Sequence, residues 1–185
     1  MAPLLVGALS ALALVAAGGL LALCALSWRK TALAFWPPAR PDDRRARLFL
    51  SLYRVMIAVC LAASLVASVS EPVALWRILI GCTIVAIGFG AGAAIISGMG
   101  WRGALGAADG LRTDGAFAIS RNPTYLAHWF GLAGWAFAVP SWPIVMALAL
   151  WAASYALMAW LEEPWLAARY GEAYRAYCAK VPRFF

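Results

Sequence analysis

Charge is scarce in this chain: only 12% of its 185 residues are Asp, Glu, Lys or Arg, against about 25% in an ordinary soluble domain. That shortage excludes a soluble globular protein. Histidine occurs once, and the four cysteines include no Cys-x-x-Cys pair and no Cys/His cluster; Cys24, Cys60 and Cys82 sit in apolar runs and Cys178 in the tail, so neither a metal site nor a disulfide framework is expected. Nor is there a hydrophilic stretch of about 100 residues that could fold as a separate soluble catalytic domain. No strand pattern precedes a dinucleotide glycine fingerprint, which disfavours a nicotinamide-dependent lipid reductase.

What fills the chain is apolar. Hydrophobic residues make up 65% of it, and charge-free runs cover 4–27, 78–101 and 122–161, where a membrane-spanning helix needs about 20 residues. The formal charge of +7 comes from Lys and Arg flanking these runs, the positive-inside pattern rather than a nucleic-acid surface. Spans are expected at 4–28, 48–70 and 73–97. The start, Met1-Ala2-Pro3-Leu4, lacks a basic n-region, so the first run reads as a retained helix rather than a signal peptide. In the third span Gly88, Gly90 and Gly92 would permit close helix approach.

Residues 98–120 are too rich in Gly, Arg and Asp to span and read as an interfacial loop. Pro140-Ser141-Trp142-Pro143 divides the next run into a helical hairpin, 123–139 and 144–161, whose first arm is short and therefore tilted or covered by protein. The tail, 162–185, is amphipathic, with Tyr170, Tyr174 and Tyr177 on one face, and reads as an interfacial helix anchored by its tyrosines. The expected fold is all-α: an integral membrane bundle of about five spans with a C-terminal interfacial helix. Residues 1–97 form an N-terminal part and 98–185 a second, joined in one membrane domain. Basic residues place the N-terminus outside and the tail in the cytosol, in a multi-pass protein of a bacterial inner membrane.

Two polar segments then meet on one side. Asn122-Pro123 reads as an N-cap and first helical residue, a start that attracts an anion with Arg121 beside it. Glu162-Glu163 stands at the C-terminal end of an apolar helix, where negative charge is disfavoured, and suits a cation or ligand hydroxyls. His128 reads as a neutral imidazole satisfied by a neighbouring helix. The stretch from Gly110 to Gly115 lacks the full phosphate-loop pattern.

In order along the chain, Leu111-Arg112-Thr113-Asp114-Gly115-Ala116-Phe117, Arg121-Asn122-Pro123-Thr124-Tyr125, Glu162-Glu163 and Tyr170-Gly171-x-x-Tyr174-x-x-Tyr177-x-x-x-Val181-Pro182-Arg183 resemble the C-terminal half of the isoprenylcysteine carboxyl methyltransferases and the related phospholipid N-methyltransferases. The resemblance covers roughly 102–183. It implies an S-adenosylmethionine-dependent methyltransferase acting on a lipophilic acceptor from the bilayer, with membrane lipid as its partner, no nucleic acid and no metal. The cofactor would lie between the fourth and fifth spans, capped by the tail. Carried over by motif, Leu111, Arg112, Gly115, Phe117, Asn122, Pro123, Thr124, Tyr125, Glu162 and Glu163 are the implied cofactor-binding residues and Arg121 the candidate catalytic one.

The sequence also departs from that pattern. Asn122 replaces a usual histidine and Ala127 a frequent glycine. The stretch Leu157-Met158-Ala159-Trp160-Leu161 lacks the arginine that suits a carboxylate acceptor, which shifts the expectation toward an amine, thiol or lipid. The competing reading is a non-catalytic membrane binding or assembly protein that keeps the fold.

Overall fold

The computed structural model describes residues 2–29, 35–37, 44–100 and 110–185. Among these the chain is all helical: α1 (Ala2–Arg29), α2 (Arg44–Ser70), α3 (Leu75–Met99), a 3-10 turn (Gly115–Ala118), α4 (Pro123–Ala138) and α5 (Trp142–Cys178). The helices α1, α2, α3 and α5 are long and apolar enough to cross a membrane. At 16 residues, α4 rises only about 24 Å, short of a hydrocarbon core of about 30 Å. It is covered by protein, between α3 and α5. The residues of the glycine-rich loop at 101–109 lie outside those described.

Four helices turn a stripe inward with alternating spacings of three and four. On α2 it runs Phe49, Tyr53, Met56, Cys60, Ala63 and Ala67, and on α5 Ile144, Leu148, Trp151, Tyr155 and Met158. The α1 stripe is small, with Ala13, Ala17, Leu20 and Cys24, and α4 contributes Leu132 and Trp135. A 3.5-residue repeat keeps such a seam facing its neighbours along nearly parallel or antiparallel helices. Several polar groups inside are tied locally: Ser64 donates to the Cys60 carbonyl at 2.7 Å and accepts from Trp135 Nε1 at 2.9 Å, while Trp129 Nε1 donates to the Ala152 carbonyl at 2.8 Å. Such closure is required where no water is at hand.

The helix α3 has no large inward stripe; its buried residues are Gly81, Gly88 and Gly92. They let the α3 backbone lie against α4, so that a Cβ at Gly81 would fall 2.7 Å from the Gly134 carbonyl oxygen. A Cβ at Gly88 would run into the Gly131 backbone, whereas Gly90 faces open space. Of the three glycines singled out in the sequence, two make the contact and one points away. At the far end, Arg77 donates to the Phe137 carbonyl at 2.7 Å, placing a cation on the C-terminal end of α4, where it is electrostatically favoured.

The tail is not a separate helix beginning at residue 162. The backbone of α5 continues through Glu162-Glu163-Pro164 and changes direction only at Gly171 (φ 54°, ψ −127°), a conformation open to glycine and strained for residues with a Cβ. We expect Gly88→Ala to lower stability by about 1–3 kcal/mol through overpacking and Gly90→Ala to be neutral. Thermal unfolding in detergent compares the two; equal melting temperatures would argue against the close α3–α4 contact.

Candidate functional site

All four inward stripes end in polar or aromatic residues at the same end of the bundle, where α1 and α3 finish and α2 and α4 begin. At that end lies a cavity of about 260 Å³, near the lower end of small-molecule sites, about 300–1,000 Å³. Its wall takes Leu50 and Tyr53 from α2, Ile96 and Met99 from α3, and Tyr125 and His128 from α4. From α5 come Tyr155, Met158, Glu162, Trp165 and Tyr170, and past the Gly171 break Tyr174 and Tyr177.

Glu162 sits four residues beyond Met158 and so extends the inward stripe of α5. Its Oε1 accepts from Trp36 Nε1 at 2.7 Å and from the Tyr125 hydroxyl. Trp36 is held in turn by stacking on Phe49, with ring centroids 5.4 Å apart, and by the Ser27 hydroxyl, which accepts from the Phe35 and Trp36 backbone N–H groups at 2.8 and 3.4 Å. Tyr125 stacks on Tyr155 at 5.3 Å, and the Tyr155 hydroxyl is hydrogen-bonded to that of Tyr53. Oε2 of Glu162 has no hydrogen bond among the described residues.

Glu163, one residue on and about 100° round the helix, faces another way. It lies 3.1 Å from Arg121 Nη1 and accepts two bonds from Arg183, at 2.7 Å from Nε and 2.6 Å from Nη2. These bonds hold the Arg183 guanidinium protonated beyond its ordinary range. Arg121 also donates to Cys178 Sγ at 2.7 Å, and its backbone N–H donates to the Pro182 carbonyl at 2.9 Å.

Of the residues implied by motif, Leu111, Arg112, Phe117, Arg121, Asn122, Pro123, Thr124, Tyr125 and Glu162 stand together on the cavity wall. Gly115 and Glu163 do not. Gly115 opens the 3-10 turn at φ 57°, and that turn offers the Phe117 carbonyl to the Tyr177 hydroxyl at 2.6 Å. Asn122 holds the N-cap position, with Pro123 following it as expected, but its side chain makes no capping bond. Its Nδ2 donates instead to the Arg183 carbonyl at 3.0 Å, an acceptor that the tail brings within reach.

Two further expectations are corrected. Tyr174 and Tyr177 are not interface anchors but buried side chains of the cavity wall, because the bend at Gly171 folds their face back onto the bundle. His128 lies between Phe89 and Tyr155, with ring centroids 5.3 and 5.2 Å away, and its buried Nδ1 finds no partner among the described residues. The neighbouring helix α3 meets the ring with Phe89 and, beside Nε2, with Gly92. Trp36, Tyr53, Tyr155, Trp165 and Tyr170 also belong to the wall and were not expected. The signal that finds Tyr53 and Tyr155 is the three-and-four spacing, followed to the helix ends.

A family model described as Phospholipid methyltransferase matches residues 76–173, from α3 to just past the bend in α5. The chain belongs to this family. It is thus a membrane methyltransferase by membership, in accord with the resemblance carried by its motifs. No curated protein and no solved structure matches it. The matched segment of this phospholipid methyltransferase family member holds Arg121, Tyr125, Tyr155 and Glu162, while Trp36 and Tyr53 on one side and Tyr174, Tyr177 and Arg183 on the other lie beyond it.

Because Trp36 and Tyr125 share one carboxylate oxygen, Trp36→Phe and Tyr125→Phe should be coupled. A double-mutant cycle on unfolding free energy is expected to give an interaction of about 0.5–3 kcal/mol. Strict additivity would mean that the two donors do not act on Glu162 together.

Proposed function

We propose that the chain transfers a methyl group from S-adenosylmethionine to a lipophilic acceptor drawn from the bilayer, at a cavity on the cytosolic side. The observation that carries this reading is Glu162: a carboxylate on an inward helix stripe, with one oxygen held by Trp36 and Tyr125 and the other open to an aromatic cavity. Such a group fits the ammonium or ribose hydroxyls of the cofactor, and the surrounding ring faces suit a cationic sulfonium. Arg121 and the start of α4 at Pro123 supply the positive field for its carboxylate. Leu111, Arg112, Phe117, Thr124 and Tyr125 would wall its adenosyl part, with Gly115 shaping the turn that presents Phe117.

The bound cofactor would supply an electrophilic methyl carbon, so the protein needs no covalent nucleophile. What its residues must do is align donor and acceptor and keep water out, which contributes up to about 7–11 kcal/mol in well-oriented reactions. Ile96 and Met99 of α3 and Leu50 and Tyr53 of α2 line the cavity from two helices that pack chiefly on other partners. An acceptor arriving sideways from the bilayer would enter between them. The stretch from Leu157 to Leu161 offers no cation for an acceptor carboxylate, which favours an amine, a thiol or a lipid headgroup.

Titrating S-adenosylhomocysteine into detergent-purified protein tests the reading. We expect micromolar binding in the parent chain and a loss of about ten- to a hundredfold in Glu162→Gln, the range of one hydrogen bond to a charged group. Equal affinity in the variant would remove Glu162 from the site. No binding by folded protein, repeated in lipid nanodiscs, would favour a non-catalytic binding module.

A further inference from the structure

The adjacent glutamates do different work. We propose that Glu163 is not a ligand of the cofactor but a positioning residue. On this view it holds the Val181-Pro182-Arg183 segment as a strap across the start of α4 and so sets Arg121 at the cavity wall. The inference rests on the cofactor reading above and assigns the second carboxylate of the pair.

Three observations carry it. Glu163 is absent from the cavity wall while Arg121 lies on it, so the Glu163 carboxylate reaches the cavity only through the guanidinium it fixes. Its two oxygens are already taken: Arg183 binds both, and Arg121 stands against Oε1. Glu163 and Arg121 keep only 19% and 14% of their side-chain surface exposed, which places the pair nearer to the buried class, where loss of one partner is costly, than to surface pairs.

The strap itself is sewn down by its backbone. The Pro182 carbonyl accepts from the Arg121 N–H at 2.9 Å, and the Arg183 carbonyl accepts from Ser120 Oγ at 3.1 Å and Asn122 Nδ2 at 3.0 Å. Arg183 then covers Trp160, its guanidinium carbon 4.6 Å from the ring centroid. Every bond of the strap to the start of α4 thus falls within three consecutive residues, Ser120, Arg121 and Asn122, two of which face the cavity. Two guanidinium groups share the Glu163 carboxylate, so one positive charge is left over beside the cavity, and it is the geometry of Glu163 that directs Arg121 there.

The test reads ligand affinity and strap closure separately. S-adenosylhomocysteine binding is measured by calorimetry, and exchange of the Arg121 amide, which the Pro182 carbonyl protects, by hydrogen exchange with mass spectrometry. Glu163→Gln and Arg183→Gln should each weaken binding about tenfold, and each should accelerate exchange in the peptide holding Arg121. The double variant should be no worse than the weaker single one, since both cut the same link, and Glu163→Asp should keep most of the affinity.

Weaker binding in Glu163→Gln with parent-like affinity in Arg183→Gln, or with unchanged Arg121 exchange, would make Glu163 a direct ligand and overturn the proposal. Arg183→Gln lies in the tail and keeps the test open should Glu163→Gln fail to fold. Failure of the parent chain to bind S-adenosylhomocysteine would sink the cofactor reading. The exchange arm then decides the strap alone, with unchanged Arg121 protection in both variants overturning it.

Discussion

A carboxylate on the inward stripe of a membrane helix has to be satisfied by the helices around it. The architecture at this end of the bundle follows from meeting that demand at Glu162. Tyr125 must lie on the inward face of α4, which fixes the rotation of that helix, and Tyr155 must stack beneath Tyr125, which sets α5 against it. Trp36 must come back from the segment after α1, and Ser27 and Phe49 hold it there. Helices with little sequence in common are thus brought into register by one oxygen atom.

The same economy explains why α3 is built differently. A helix of large residues could not approach the Gly131 and Gly134 surface of α4. By burying glycines in place of a stripe, α3 gives up side-chain packing for backbone proximity, the usual compromise between helices in lipid, where apolar surface alone does not drive association. Its outward residues, among them Leu75, Leu79 and Ile87, are left exposed, as a lipid-facing surface requires.

Much of the architecture was legible in the sequence because hydrophobic runs and prolines report on the bilayer directly. The spans emerged within a few residues, and Pro140 and Pro143 marked the hairpin. The end of α5 was misplaced because charge at Glu162-Glu163 and a proline at 164 both look like a stop, whereas neither breaks the helix; the bend comes at Gly171. The motif residues around Arg121 and Glu162 pointed to one cavity, yet the sequence alone could not separate the two glutamates. Their difference is a matter of 100° on a helix, and it becomes visible only when Ile144, Leu148, Trp151, Tyr155 and Met158 are read as a stripe that Glu162 continues. Trp36 carried no such signal, since its place depends on Phe49 and Glu162, which lie on helices later in the chain.

The strap also bears on biogenesis. Ser120, Arg121 and Asn122 are synthesised some sixty residues before the carbonyls they bond, with |i−j| of 63 for Ser120 and Arg183. The helices up to α4 are thus made before the segment that completes this rim. The strap's bonds to Ser120, Arg121 and Asn122 form only after the tail has left the ribosome, so in a nascent chain the start of α4 waits for its partners.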